Sequence, residues 1–190
     1  MNFYSDKIVS TMIQESSLHS DSNIKELYKK IDDFKALSNY DIIYKSAYDI
    51  KTDYTQCLLN DKNNIIAFYC IDKEFSFKNS PSSLIYRKYK RGKKIEYCIL
   101  FACTDTEFRG RGYASKMMDG FIDRIREENQ KNKDYEIKIT LNSFESSVLF
   151  YENYGFRWTN ESILKYPRLL NHETYDEEKT YFIMELILAL

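Results

Sequence analysis

An α/β fold, a central sheet with helices packed on it, is what this chain of 190 residues predicts. Three segments carry that reading. Tyr97-Cys98-Ile99-Leu100-Phe101-Ala102-Cys103 is wholly apolar and reads as a central strand buried on both faces. Downstream, Ala114, Met117, Met118, Phe121, Ile122 and Ile125 recur with helical spacing and make one apolar helix face. Tyr135 to Leu141 then alternates apolar and polar residues, as a strand with one wet face does.

The remaining elements follow in order. Residues 3–13 read as a first strand. Asn23 to Leu37 reads as a helix, with Ile24, Leu27, Tyr28, Ile31, Phe34 and Leu37 on one face. Residues 38–50 are ambiguous between a short second helix and a loop. Tyr54–Asn60 and Ile65–Lys73 read as a strand pair about the Asp61-Lys62-Asn63-Asn64 turn. Residues 74–94 form a polar connection that ends in the basic run Arg87, Lys88, Lys90, Arg91, Lys93 and Lys94, interleaved with tyrosines. A solvated hairpin is the favoured reading; a clamp for an outer phosphate or a surface for an acidic partner are the others. Ser143 is placed as the N-cap of a last helix and Gly155 as its left-handed C-cap. Arg157–Tyr166 and Thr180–Leu190 are expected to be the final two strands, joined by the polar loop His172–Lys179. No repeat or second domain is visible, so residues 1–190 are expected to form one domain.

Composition narrows the function. Lys plus Arg is 28 and Asp plus Glu is 29, so the near-neutral chain lacks the basic footprint of broad nucleic-acid binding. Cys57, Cys70, Cys98 and Cys103 stand in apolar or alternating segments with no Cys-x-x-Cys pair, and read as reduced thiols of an intracellular protein. Cys103 is read as packing, with a nucleophile as the alternative. The two histidines are far apart with no ligand-like companions, so no metal is expected. No secretory leader and no apolar run of membrane-spanning length is seen, which gives a cytoplasmic expectation.

The chemistry concentrates in Phe108-Arg109-Gly110-Arg111-Gly112-Tyr113-Ala114, between the apolar strand and the amphipathic helix. A glycine-rich turn that feeds a helix N-terminus suits phosphate: the backbone approaches closely, and free N–H groups and the helix dipole favour an anion. A P-loop needs Gly-x-x-x-x-Gly-Lys-Ser/Thr, which is absent. A dinucleotide fingerprint needs a third glycine where Ser115 stands, and Gly110 lies late after the strand. The pattern Arg/Gln-x-x-Gly-x-Gly/Ala is met in full by Arg109, Gly112 and Ala114.

That pattern resembles the acyl-coenzyme A pyrophosphate loop of the GNAT N-acetyltransferase superfamily. Phe150-Tyr151-Glu152-Asn153-Tyr154-Gly155-Phe156 looks like the Phe-Tyr-x-x-x-Gly-Phe signature that ends the last helix of that family. The resemblance covers residues 95–160. It implies a GNAT acyl-CoA N-acyltransferase fold, whose mixed, mostly antiparallel central sheet is flanked by helices. It implies acetyl-CoA as co-substrate, no metal, and a primary amine as acceptor, small molecule or protein.

By the same resemblance, pantetheine lies between strands 97–104 and 135–141 beside Ala102, Cys103 and Thr104. The pyrophosphate rests on the N–H groups of Arg109, Gly110, Arg111, Gly112, Tyr113, Ala114 and Ser115. Tyr151 corresponds to the tyrosine that protonates the departing thiolate; the other reading is an aromatic of the last helix. Some relatives carry a basic glutamate where Cys98 stands here. Glu96, two residues earlier on the same face, is the candidate base through a water, against a plain strand-end carboxylate. Phe144 occupies a position where many relatives have an asparagine, and Asn142 is the candidate substitute. The leading reading is an N-acetyltransferase. An acyl-CoA-binding module without chemistry is the alternative, and a nucleic-acid-associated protein using residues 86–94 is a third, disfavoured by charge.

Overall fold

The computed structural model describes residues 63–69, 71, 81–104, 106–170 and 180–189. The expectations for residues 3–13, 23–37, 38–50, 54–60 and 172–179, and for Cys57 and Cys70, lie outside them. The described chain builds a six-stranded sheet in the order β1-β2-β3-β4-β6-β5. The strands are β1 (Ile65–Tyr69), β2 (Ser82–Arg91), β3 (Lys94–Thr104), β4 (Glu136–Phe144), β5 (Arg157–Trp158) and β6 (Tyr181–Leu188). Helices α1 (Tyr113–Asn129), α2 (Val148–Glu152) and α3 (Pro167–Leu170) join them. Only β3 and β4 run parallel; every other pair is antiparallel. A parallel pair needs a crossover, and α1 supplies it.

The apolar run that predicts a central strand becomes β3, with Tyr97, Cys98, Ile99 and Phe101 buried. On one face of the sheet Ile95, Tyr97, Ile99, Ile137, Ile139, Leu141 and Met184 pack with Met117, Met118, Phe121, Ile122 and Ile125 of α1. Each such side chain is worth about 2 kcal/mol of burial. The other face is thinner: Cys98 and Ile183 meet Ile163 and Leu169. Asn129, at the end of α1, is buried but bonded: its amide donates to the Tyr97 hydroxyl at 2.9 Å and to the Ile125 carbonyl at 2.8 Å.

Three expectations are corrected. The expected solvated hairpin is present only at its basic tip, where β2 turns back antiparallel into β3; residues 82–91 are a strand within the sheet, with Leu84, Ile85 and Tyr86 buried. Its far end is charged and exposed, closing through Gly92 (φ +58°) into β3. Ser143 does not cap a helix; β4 continues through it to Phe144, and a 3₁₀ turn at Glu145–Ser147 precedes α2. Arg157–Tyr166 is strand only at Arg157–Trp158, then a 3₁₀ turn at Ile163–Lys165 leads to α3. In that turn the Ser162 hydroxyl accepts from the Leu164 N–H at 3.3 Å.

Gly155 is the expected left-handed residue, with φ +88°. It completes a Schellman motif: the Phe156 N–H donates to the Tyr151 carbonyl at 3.2 Å and the Gly155 N–H to the Glu152 carbonyl at 2.9 Å. The hydrophobic contact that accompanies this motif is Tyr151 against Phe156, ring centroids 5.6 Å apart.

Candidate active site

The site arises where the parallel pair parts. Register runs from Lys94–Glu136 to Ile99–Leu141 and stops. Beyond it β3 continues to Thr104 beside β2, and β4 continues to Phe144 beside β6. The register of β2 and β3 slips by one residue here: Ile85 faces Phe101 and Tyr86 faces Ile99, with Leu100 between them. This bulge bends β3 at the residue where pairing to β4 ends. A wedge opens between the two strands.

A cavity of about 450 Å³ fills the wedge and is lined by Phe101, Ala102, Cys103 and Thr104 on one side and by Phe144, Phe150 and Tyr151 on the other. Met117 and Met118 of α1 form its apolar floor, and Arg109 and Ala114 stand at its end. Sequence reasoning missed the contribution of β2. Ser82 and Ser83 line the cavity, with Ser82 sharing a 2.7 Å hydrogen bond with Thr104 and Ser83 a 3.0 Å hydrogen bond with the Cys103 thiol. The signal was the pair of small residues Ser82-Ser83 directly before Leu-Ile-Tyr, hidden inside an otherwise polar stretch.

At the mouth the chain turns from β3 into α1. The Arg109 side chain donates from Nε to the Thr104 carbonyl at 3.1 Å, which ties the loop back to the strand end. Gly110 and Gly112 have φ of +75° and +80°, and a Cβ on either would meet nothing within 4 Å. The glycines are therefore needed for their backbone conformation, and the space above them is open to a ligand. Arg111 lies over the Phe108 ring at 5.5 Å, and Tyr113 packs between Phe108 and Tyr69. These aromatics fix the loop without covering it. The Tyr154 hydroxyl donates to the Ser115 carbonyl at 2.9 Å, joining the end of α2 to the first turn of α1.

Tyr151 has its ring held between Phe150 and Phe156, and burial pushes its phenol up to about 12. It is protonated at any physiological pH. The cavity thus brings Ala102, Cys103, Thr104, Arg109, Ala114 and Tyr151 together. Glu96 and Asn142 are not among its lining residues. Glu96 lies on the sheet face away from α1, in an ion pair with Arg168, and accepts from Thr140 Oγ1 at 3.1 Å. The same Thr140 hydroxyl lies 3.2 Å from the Cys98 sulfur, and burial pushes that thiol up to about 12. Asn142 sits just past the last parallel pair on that same face, beside Ile183. Among the described residues no group of three or more His, Cys, Asp or Glu side chains is arranged to hold a metal ion. No described helix is long and apolar enough to cross a membrane.

A sheet split along one parallel seam thus carries, at its mouth, a glycine turn that leads into a helix. Residues 87–165 match the family model described as an acetyltransferase (GNAT) domain. The fold agrees. The Tetrahymena GCN5 structure is similar with a TM-score of 0.56 and 15% identity, over 88% of this chain and 89% of that one. The ribosomal-protein-S18-alanine N-acetyltransferase of Escherichia coli is similar with a TM-score of 0.55 and 11% identity, over 90% and 91%. Arabidopsis thaliana Naa50, bound to a bisubstrate analogue, gives 0.53 and 15%, over 88% and 93%. No curated protein sequence matches the chain. The chain shares the fold of these acetyltransferases, and the family match covers residues 87–165.

Proposed function

We propose that the protein, as a single domain over residues 1–190, transfers an acetyl group from acetyl-CoA to a primary amine within a ternary complex. The observation that carries this reading is the wedge between β3 and β4, continuous with an open glycine turn. An extended ligand can complete the parted strands, and an anion can rest on the N–H groups of residues 109–115. The residues present suit acetyl-CoA on both counts. When bound, that co-substrate supplies the activated thioester.

The chain's own groups then divide the work. Backbone N–H groups near Ala102 and Thr104, on the edge of β3 that β4 leaves, hold the extended ligand and polarise its carbonyl. Met117, Met118, Phe101 and Phe150 exclude water from that region. Tyr151, protonated and at the cavity wall, donates its phenolic proton to the thiolate as it departs. The incoming amine must lose a proton, since its pKa is about 10. For Glu96 we propose a relay role only: paired with Arg168 and off the cavity, it receives that proton through water, not by touching the amine. Asn142, at the seam, is proposed to orient the pantetheine from the far face.

The test is acetyl transfer by the purified chain across amine classes: protein N-termini, lysine peptides, polyamines and amino sugars. Thiol release that depends on an amine supports the reading. Tight acetyl-CoA binding with no transfer to any amine would leave a binding module.

A further inference from the structure

A second cleft, of about 360 Å³, opens on the sheet face away from α1, at the end opposite the wedge. Its floor follows from register. Arg91, Lys94 and Glu136 are cross-strand neighbours, and the next row on the same face is Tyr89, Glu96 and Lys138. Lys165 and Arg168, from the segment that crosses this face, form its wall. Five cationic side chains thus meet two carboxylates in a chain whose formal net charge is −1.

The ion pairs here divide into fixed and exchangeable. Arg168 is held by Glu96 and by the Tyr89 ring, 4.2 Å from the guanidinium. Lys138 is held by Glu185 at 2.6 Å. Lys94 pairs with Glu136, and Lys165 with Glu161, but their side chains are 71% and 64% exposed. Exposed pairs of this kind are worth about 0–1 kcal/mol and re-partner readily. Among the described residues the Arg91 side chain makes no hydrogen bond or ion pair. One guanidinium without a partner and two weakly engaged ammonium groups therefore face one concavity, with two fixed cations behind them.

We propose that this cleft binds a small phosphate-bearing molecule with at least two negative charges. The planar guanidinium fork of Arg91 matches a phosphate edge, and Lys94 and Lys165 reach other oxygens as point charges. The site is separate from the glycine turn and does not depend on acetyl transfer.

The experiment is calorimetric titration of the full chain with inorganic pyrophosphate at low ionic strength, with saturating coenzyme A present to fill the wedge. Citrate is titrated in parallel as a carboxylate of similar charge. Pyrophosphate is expected to bind with coenzyme A present, and Arg91→Glu is expected to weaken it at least tenfold. Lys94→Gln with Lys165→Gln should also weaken it, and both variants should keep their affinity for acetyl-CoA. Binding of citrate as well would support the cleft and assign selection to charge alone. Loss of pyrophosphate binding on adding coenzyme A, unchanged binding in Arg91→Glu, or binding of citrate without pyrophosphate would each overturn the proposal.

Discussion

Replacing Gly112 by glutamate tests the ligand loop through two separable effects. The first acts on the folded chain alone. Gly112 has φ +80°, and an L-residue there costs about 1–2 kcal/mol. For a chain of this size that lowers Tm by roughly 2–8 °C. The added Cβ meets no atom within 4 Å, so no clash adds to this strain. Gly112→Ala should show the same loss and serves as the control. The second effect appears only with ligand. A carboxylate about 5 Å from a phosphate charge opposes binding by roughly 1–3 kcal/mol, depending on how much water screens the loop. Acetyl-CoA at a hundred times its Kd stabilises the parent by about 2.7 kcal/mol. If Gly112→Glu weakens binding tenfold to a hundredfold, that gain falls to roughly 0.4–1.4 kcal/mol. Thermal melts with and without acetyl-CoA, on parent and both variants, read the difference. An equal ligand-induced shift in parent and Gly112→Glu would refute the placement of the pyrophosphate on this turn.

Tyr151→Phe should slow acetyl transfer in the pre-steady state by roughly 10²-fold and leave acetyl-CoA affinity nearly unchanged; unchanged transfer would remove the general-acid role. Because the Tyr151 phenol is raised to about 12, its proton is present throughout the neutral range, and a pH–rate profile should show no falling limb from it below about pH 11. The Cys98 thiol is raised from its ordinary value of 9.0 to about 12, so the folded state keeps a proton that the unfolded chain loses. Its stabilising contribution is complete below pH 9 and is lost as pH rises toward 12, by up to tenfold in the folded ratio per pH unit. Cys98→Ala should flatten urea-unfolding free energy across that window relative to the parent, and identical slopes would count against it. Arg87 donates to Asn64 at 2.8 Å and Lys88 to Glu128 at 3.0 Å, so replacing both by serine should cost stability while acetyl-CoA affinity stays within twofold in a direct titration. A tenfold loss of affinity would mean that this end of β2 reaches the coenzyme.

The parts of the site that could be read from sequence are those whose backbone requirement is written in residue type. Gly110 and Gly112 adopt φ values that other residues avoid, and Gly155 closes a Schellman motif. The strand at residues 97–103 and the face of α1 were legible because one is uniformly apolar and the other strictly periodic. Strand β2 was not. Only its Ser82-Ser83-Leu84-Ile85-Tyr86 half is buried, and its charged half reads as loop, because those residues gain their sheet bonds at a poorly covered end. Ser143 looked like a cap because serine caps helices, yet it is buried in β4, with its hydroxyl donating to the Phe144 carbonyl at 2.9 Å. Glu96 shares a face with Cys98 as the period of two requires. Its pairing with Arg168, 72 residues on, depends on a tertiary crossing that no local pattern encodes.

The seam between β3 and β4 also divides the molecule mechanically. On one side lie β1, β2 and β3; on the other, β4, β6 and β5. Among the described residues, six residue pairs, the helix α1 and the Glu96–Arg168 ion pair join the halves, and the Tyr154–Ser115 bond adds a clasp at the open end. An extended ligand in the wedge would act as a seventh strand that closes the sheet. Amide protons of Leu100–Thr104 and Asn142–Phe144 that face the gap should then exchange slowly with acetyl-CoA bound and quickly without it. Those facing β2 and β6 should change little, so the protection pattern would report which edge of each strand the ligand occupies.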